Sequence, residues 1–285
     1  MNKLAIDIGG TSIRFALVVN NQIIKKEVID TDPQDRKKNL DYIKKTVDSW
    51  NSKIDYIGVC CPGPLDLKTG TILITYNLPD WSGKCILQEI KDLFNVSNVK
   101  INNDGNVAAL GQYIVRKDLH SLLYFTISTG IGAGFIHEGK IFEGYNGTAL
   151  EIANALPNWN SEDPSRSGIE FQASGKNICI QLNKLGVEVK DTKEAFELYN
   201  SKENEIVNKF FEEIENKLIN LISTSIYFLN PEMIVLGGSV AMKNQEFIKE
   251  VFNKVKQTTK DTNYDVKFEF AQDLDDSTLL GCCQM

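Results

Sequence analysis

At 285 residues the chain suits one large or two medium domains. Its 42% hydrophobic and 24% charged content is that of an ordinary soluble globular protein and excludes a disordered or fibrous one. A formal charge of −7 disfavours non-specific attachment to nucleic acid or to an anionic membrane. No apolar run reaches the length of a bilayer span, and Asp7 interrupts the first apolar stretch, so no signal peptide is read and a cytoplasmic location is expected.

Strands are predicted over 3–8, 12–19 and 22–28, joined by a Gly9-Gly10 turn and by Asn20-Asn21. A helix over 35–50 carries Leu40, Ile43, Val47 and Trp50 on one face. A buried-type strand over 55–61 stops at Pro62-Gly63-Pro64, a helix covers 85–94, and a short strand over 97–101 ends in Asn102-Asn103-Asp104. The opening pattern then returns as strand 122–128, a Gly-rich turn over 129–134, strand 135–137, a Glu138-Gly139 turn and strand 140–142. Either a duplicated unit or chance recurrence in an α/β protein accounts for this, and duplication is preferred because both copies place hydroxyl–glycine turns after the first strand. Residues 144–176 read as polar loop. A long helix follows over 203–229, with Ile206, Phe210, Phe211, Ile214, Leu218, Leu221, Ile222 and Tyr227 as its apolar stripe, stopped by Asn230-Pro231. Strand 233–236 runs into Gly237-Gly238, then come a helix near 245–257, a strand near 265–270 and a short apolar tail at 278–283.

The cysteines (Cys60, Cys61, Cys85, Cys179, Cys282, Cys283) include two adjacent pairs and no C-x-x-C spacing, which favours reduced core thiols over disulfides. His120 and His137 have no metal-ligand neighbour at useful sequence spacing, so no zinc site is expected from them.

Three glycine turns follow apolar strands: Gly9-Gly10, Gly130-Ile131-Gly132 and Gly237-Gly238. Bare backbone lets N–H groups approach a phosphate or a nucleoside lie flat, and Thr11 adds a hydroxyl. Asp7 beside a phosphate calls for a magnesium ion between them, although the same residues suit a plain β-hairpin. None of the turns matches a P-loop or a dinucleotide fingerprint. Asn103-Asp104-x-Asn106 sits at a strand's carboxyl end, where open α/β sheets bind ligands. There Asp104 could take the proton of an attacking hydroxyl and Asn103 could orient it, or one of them simply caps the next helix.

Taken in order, Asp7-Ile8-Gly9-Gly10-Thr11, Pro62-Gly63-Pro64, Asn77-Leu78-Pro79-x-Trp81, Asn103-Asp104-x-Asn106, Ser128-Thr129-Gly130-Ile131-Gly132 and Ile234-Val235-Leu236-Gly237-Gly238 resemble the ROK family of bacterial sugar kinases across nearly the whole chain. The resemblance implies an α/β fold of two ribonuclease-H-like (actin-type ATPase) domains around a central cleft. Residues 1–115 would form the sugar and phosphate domain, with 272–285 packing back on it, and 116–271 the nucleotide and dimerisation domain. It implies ATP with Mg²⁺, Asp104 as general base on a hexose 6-hydroxyl, and Gly63, Pro64, Asn77, Asn103, Glu151, Asn154 and Glu170 around the sugar. Asp7, Gly9, Gly10, Thr11, Thr129, Gly130, Gly132, Gly237 and Gly238 would surround the nucleotide, with Asp7 on the magnesium side. A homodimer is implied as well.

The chain also departs from the family. A Gly-Glu-x-Gly-His loop with a zinc-binding cysteine cluster is replaced by Leu150-Glu151-Ile152-Ala153-Asn154, and no cysteine lies between Asn158 and Ser174. Zinc is therefore expected to be absent while Glu151 and Glu170 survive. Packing of Trp159, Ile169 and Phe171 is expected to order the loop instead. Small, neutral Ala153 and Asn154 leave room for a 2-acetamido group, which points to N-acetylmannosamine and sialic acid breakdown, ahead of glucose or N-acetylglucosamine. A sugar-sensing regulator is disfavoured because only two residues precede the first predicted strand and the charge is negative. A non-catalytic sugar binder is disfavoured by Asp104 and the three glycine turns.

Overall fold

The computed structural model describes residues 1–75, 77–261 and 263–285. In chain order the elements are β1 (Asn2–Ile8), β2 (Ser12–Val19), β3 (Gln22–Asp30), α1 (Arg36–Ser49), β4 (Tyr56–Cys61), β5 (Leu65–Asp66), β6 (Thr71–Ile72), β7 (Lys84–Cys85), α2 (Ile86–Phe94), β8 (Val99–Asn103), α3 (Asp104–Ile114), β9 (Ser121–Ile127), β10 (Ile131–His137) and β11 (Lys140–Ile141). There follow α4 (Ile169–Ala173), α5 (Gly175–Lys184), α6 (Thr192–Ser201), α7 (Glu205–Leu229), β12 (Met233–Gly237), α8 (Ser239–Lys243), α9 (Gln245–Thr259), β13 (Lys267–Phe270) and α10 (Leu274–Cys282). They fall into two compact units, one of Met1–His120, Gly134–Ala149 and Gln272–Met285, the other of Ser121–Ala133 and Leu150–Ala271.

The first unit is built on a sheet of order β3-β2-β1-β4-β8. β1 is antiparallel to β2 and parallel to β4, and β4 is parallel to β8. Side chains alternate across a strand, and here the two faces differ in size. Leu4, Ile6, Ile8, Phe15, Ile57 and Val59 form one buried face against Leu40, Ile43 and Val47 of α1 and Ile86 and Ile90 of α2. Ala5, Ala16, Val18 and Cys60 form the other, against Val107 of α3 and Leu279 and Cys282 of α10. The small face lets helices approach closely: a methyl group at Gly58 would lie 1.7 Å from the Cys282 carbonyl oxygen.

The other five-stranded sheet has the order β11-β10-β9-β12-β13, the same progression of third, second, first, fourth and fifth strand. β12 is parallel to both β9 and β13, as β4 is to β1 and β8. In the second unit α7 is capped by Asn204, which accepts from the N–H groups of Ile206 and Val207, and it ends at left-handed Asn230 before Pro231.

Four expectations about the elements change. The C-terminal tail is a helix, α10, whose polar first turn (Asp275 and Asp276, favourable at a helix N-terminus) hid its start. The glycine turn is shorter than expected, because β10 already begins at Ile131. A side chain at Gly132 would come within 3.3 Å of the Thr126 methyl group, so close strand approach outweighs the low strand propensity of glycine. Residues 169–173, read as loop, form α4. Ile206 and Tyr227 of the predicted stripe are 49% and 47% exposed, which leaves Val207 and Ile226 to complete the buried face of α7.

Candidate functional site

In the first unit β1, β4 and β8 run parallel, so their carboxyl ends share one sheet edge. Register pairs Asp7 with Cys60 and Cys61 with Asn103, which aligns Asp7–Thr11, Pro62–Pro64 and Asn103–Asp104 along that edge. Gly9 N–H donates to the Ser12 carbonyl at 3.0 Å and thus closes the turn, while Thr31 Oγ1 donates to the Gly9 carbonyl at 2.7 Å. Gly10 and Thr11 are exposed. Asn77 is exposed too, and a methyl group at Gly10 would lie 3.6 Å from its Cβ. Fully buried Leu78 and Trp81 anchor the Asn77 loop. Arg36 adds hydrogen bonds to the Asp80 carbonyl at 2.8 Å and to Glu89 at 2.8 and 3.0 Å. Gly63 and Pro64 share a cis peptide bond.

Asp7 is buried, and its Oδ2 accepts from Arg14 Nη1 at 3.0 Å, while Arg14 Nη2 lies 3.2 Å from Asp275 Oδ1. Burial pushes the Asp7 carboxyl above its ordinary range, and the Cys60 thiol and the Arg14 guanidinium pull it partly back. Asn103 is the α3 cap, its Oδ1 accepting from Asn106 N–H at 2.8 Å. Asn102 Nδ2 donates to Glu143 at 2.9 Å. Asp104, one residue past the cap, is exposed, and its Oδ1 accepts from Gly105 N–H at 2.8 Å. The capping alternative thus applies to Asn103 and not to the Asp104 carboxylate.

In the second unit β9 and β12 run parallel with Thr126 opposite Gly237, which places Ser128–Gly130 and Gly238–Ser239 at one edge. Ser128 Oγ and Ser239 Oγ are 3.0 Å apart. Gly238 has φ 87°, a conformation that L side chains rarely adopt, and Thr129 is exposed. Glu170, on α4, accepts from Ile131 N–H through Oε2 at 2.9 Å, and a methyl group at Gly130 would lie 2.6 Å from that oxygen. The glycine turn is therefore shaped around this carboxylate. Glu151 and Asn154 are exposed; Glu151 precedes a 3₁₀ turn over 152–154, and Asn154 is its last residue. That turn abuts the start of α4: Ile169 N–H donates to the Ala155 carbonyl at 2.7 Å, and a side chain at Gly168 would meet Asn154 backbone at 2.3 Å.

The segment before α4 is not ordered as expected. Ile169 is fully buried and Phe171 half-buried, but Trp159 is 79% exposed and anchors nothing. Ser167 Oγ accepts from Asn158 N–H and donates to the Pro164 carbonyl, both at 2.8 Å, and Gln172 Nε2 donates to the Leu156 and Ser167 carbonyls. Arg14, Glu143 and Cys60 were not anticipated. Arg14 had a signal, a cation inside an otherwise apolar strand and opposite Asp7 in the hairpin register. His120 and His137 do have a ligand neighbour in space, since both lie beside Glu138.

The ROK family model matches residues 3–285. An N-acetylmannosamine kinase of Vibrio cholerae is 30% identical over 265 residues, spanning 90% of this chain and 90% of the relative. Among solved structures, a ROK hexokinase from Thermus thermophilus superposes with TM-score 0.87 at 21% identity, covering 99% of this chain and 96% of that one. A ROK family glucokinase from Streptomyces griseus, in complex with glucose and AMPPNP, superposes with TM-score 0.71 at 20% identity, covering 99% and 98%. These likenesses agree with the paired α/β sheets described above, and with a family match over nearly its full length the chain belongs to the ROK family and has the actin-type ATPase fold.

Proposed function

We propose that this chain is an ATP-dependent hexose 6-kinase. The observation that carries the reading is the exposed Asp104 carboxylate beside the Asn103 cap, on the same sheet edge as the Asp7–Thr11 turn. In this reading the sugar 6-oxygen attacks the γ-phosphorus, its proton goes to Asp104, and ADP leaves. Asn103 Oδ1 already serves the helix cap, so the role assigned to Asn103 is that of donor through Nδ2. Gly63, Pro64, Asn77, Glu151, Asn154 and Glu170 are assigned to the sugar. Gly9, Gly10, Thr11, Thr129, Gly130, Gly132, Gly237 and Gly238 are assigned to the nucleotide.

Magnesium enters as part of the substrate, Mg-ATP. The donor set fits that role, since Asp7 is a single carboxylate already accepting from Arg14 and suits an ion held mainly by phosphates and water. As the acceptor we propose N-acetylmannosamine, with glucose as the runner-up. The Vibrio relative of that name and the small, neutral pair Ala153-Asn154 support it. No structural zinc is assigned to the loop over 151–175, where hydrogen bonds from Ser167 and Gln172 supply order. A homodimer remains part of the proposal, and light scattering on the purified chain tests it. The test of the chemistry is Asp104→Asn: turnover within about tenfold of wild type, a barrier change under ~1.4 kcal/mol, would remove Asp104 from the base role.

A further inference from the structure

We propose that His120, His137 and Glu138 form a surface site for a divalent transition-metal ion, held by two imidazole nitrogens and one carboxylate oxygen. A ligand atom from each of the three side chains lies within 4.8 Å of the others. All three residues belong to the first unit, and none is assigned to sugar or nucleotide.

The backbone around these side chains is tied in place. Glu138 N–H donates to the His120 carbonyl at 2.8 Å, joining the two chain segments that carry the ligands. His137 pairs with Lys140 in the β10–β11 hairpin, whose turn residues Glu138 and Gly139 have φ of 51° and 75°. Such a turn matches strand twist and fixes the register. On the other segment Tyr113 Oη donates to the Leu119 carbonyl at 2.6 Å. The imidazole rings meet edge to face with centroids 4.7 Å apart, and the Phe135 ring lies nearly parallel to His137 at 6.2 Å. Ordering of the backbone is complete before an ion arrives, which lowers the entropy lost on binding.

The donor set decides the class of ion. Imidazole nitrogen with carboxylate oxygen suits zinc, nickel and copper, whereas magnesium and calcium take all-oxygen sets. Ligand atoms around a tetrahedral zinc stand roughly 3.3 Å apart, given Zn–N bonds of about 2.0–2.1 Å. Rotation of exposed side chains covers the difference from the observed spacing. Three protein ligands leave a position open to water or to an outside donor. A bound ion would clip the hairpin turn to the segment ending at His120, so it should stabilise the folded chain by linkage.

The experiment uses the full chain freed of metal by a chelator, then titrated with zinc. Bound metal is followed by elemental analysis after dialysis, and stability by thermal melting. The expected result is one equivalent of zinc and a melting temperature that rises with zinc. His137→Gln and Glu138→Gln should each weaken binding at least tenfold while melting like wild type in chelator. With two histidines in the chain, cobalt should shift both imidazole proton signals together in NMR spectra. Absence of binding below millimolar zinc, or equal zinc binding by wild type and His137→Gln, would overturn the proposal. Zinc that is lost in His137→Gln also leaves the zinc-free reading of the 151–175 loop intact.

Discussion

Asn103 and Asp104 are consecutive, yet the helix start separates their roles. The cap holds Asn103 through its Oδ1, while the exposed Asp104 carboxylate accepts the Gly105 N–H at 2.8 Å and lies outside the cap. Asp104→Asn should therefore cost roughly 10²–10⁴ in kcat, the usual worth of a general base, with the melting temperature unchanged. Asp7 presents the opposite balance. Burial raises its carboxyl pKa above the unfolded value, so ionised Asp7 opposes folding, and the penalty appears as pH rises through that window. Asp7→Asn should melt at or above the wild-type temperature at pH 7, with the difference vanishing well below pH 4, while turnover falls. A loss of several degrees at pH 7 would show that the Arg14 pair outweighs burial. Asp7 was readable because a carboxylate interrupts an apolar strand. Its raised pKa was not, because that depends on burial by segments distant in sequence and, to a smaller extent, on the charge of Asp275, which α10 brings near Arg14.

At the scale of elements, glycines mark where one segment meets another. Gly58→Ala would drive a methyl group into the Cys282 carbonyl, and α10 has to shift. We expect a destabilisation of about 1–3 kcal/mol or more, read by denaturant unfolding; a neutral result would mean α10 is loosely held. Gly130→Ala would displace the Glu170 carboxylate. Steady-state kinetics should then show a raised KM for the sugar as well as for ATP, whereas a change confined to ATP would separate Glu170 from the sugar. Long periodic elements such as α1 and α7 were legible, since periodicity is local information. The start of α10, the short α4 and the His120–His137 pair were not, because each is settled by a partner distant in sequence.

On the scale of the whole molecule, two sheets share one strand order, an architectural repeat that survives with little residue identity. The thiols follow the same division between buried and open. Cys60 is pushed well above the ordinary thiol range by its hydrogen bond with Cys282 and by burial, Cys61 well above it by burial, and burial pushes Cys283 up to about 12, while Cys85 is exposed. Iodoacetamide at pH 7 should label Cys85 first and the buried thiols only on unfolding; early labelling of Cys60 would contradict the packing of β4 under α10. The kinase reading is tested most directly by ADP release with Mg-ATP and N-acetylmannosamine, N-acetylglucosamine, glucose or fructose, with Asp104→Asn as control. The account predicts sugar-stimulated ADP release, fastest with N-acetylmannosamine and slowed about a hundredfold or more in the variant. No stimulation by any of the four, or equal release by Asp104→Asn, would contradict it.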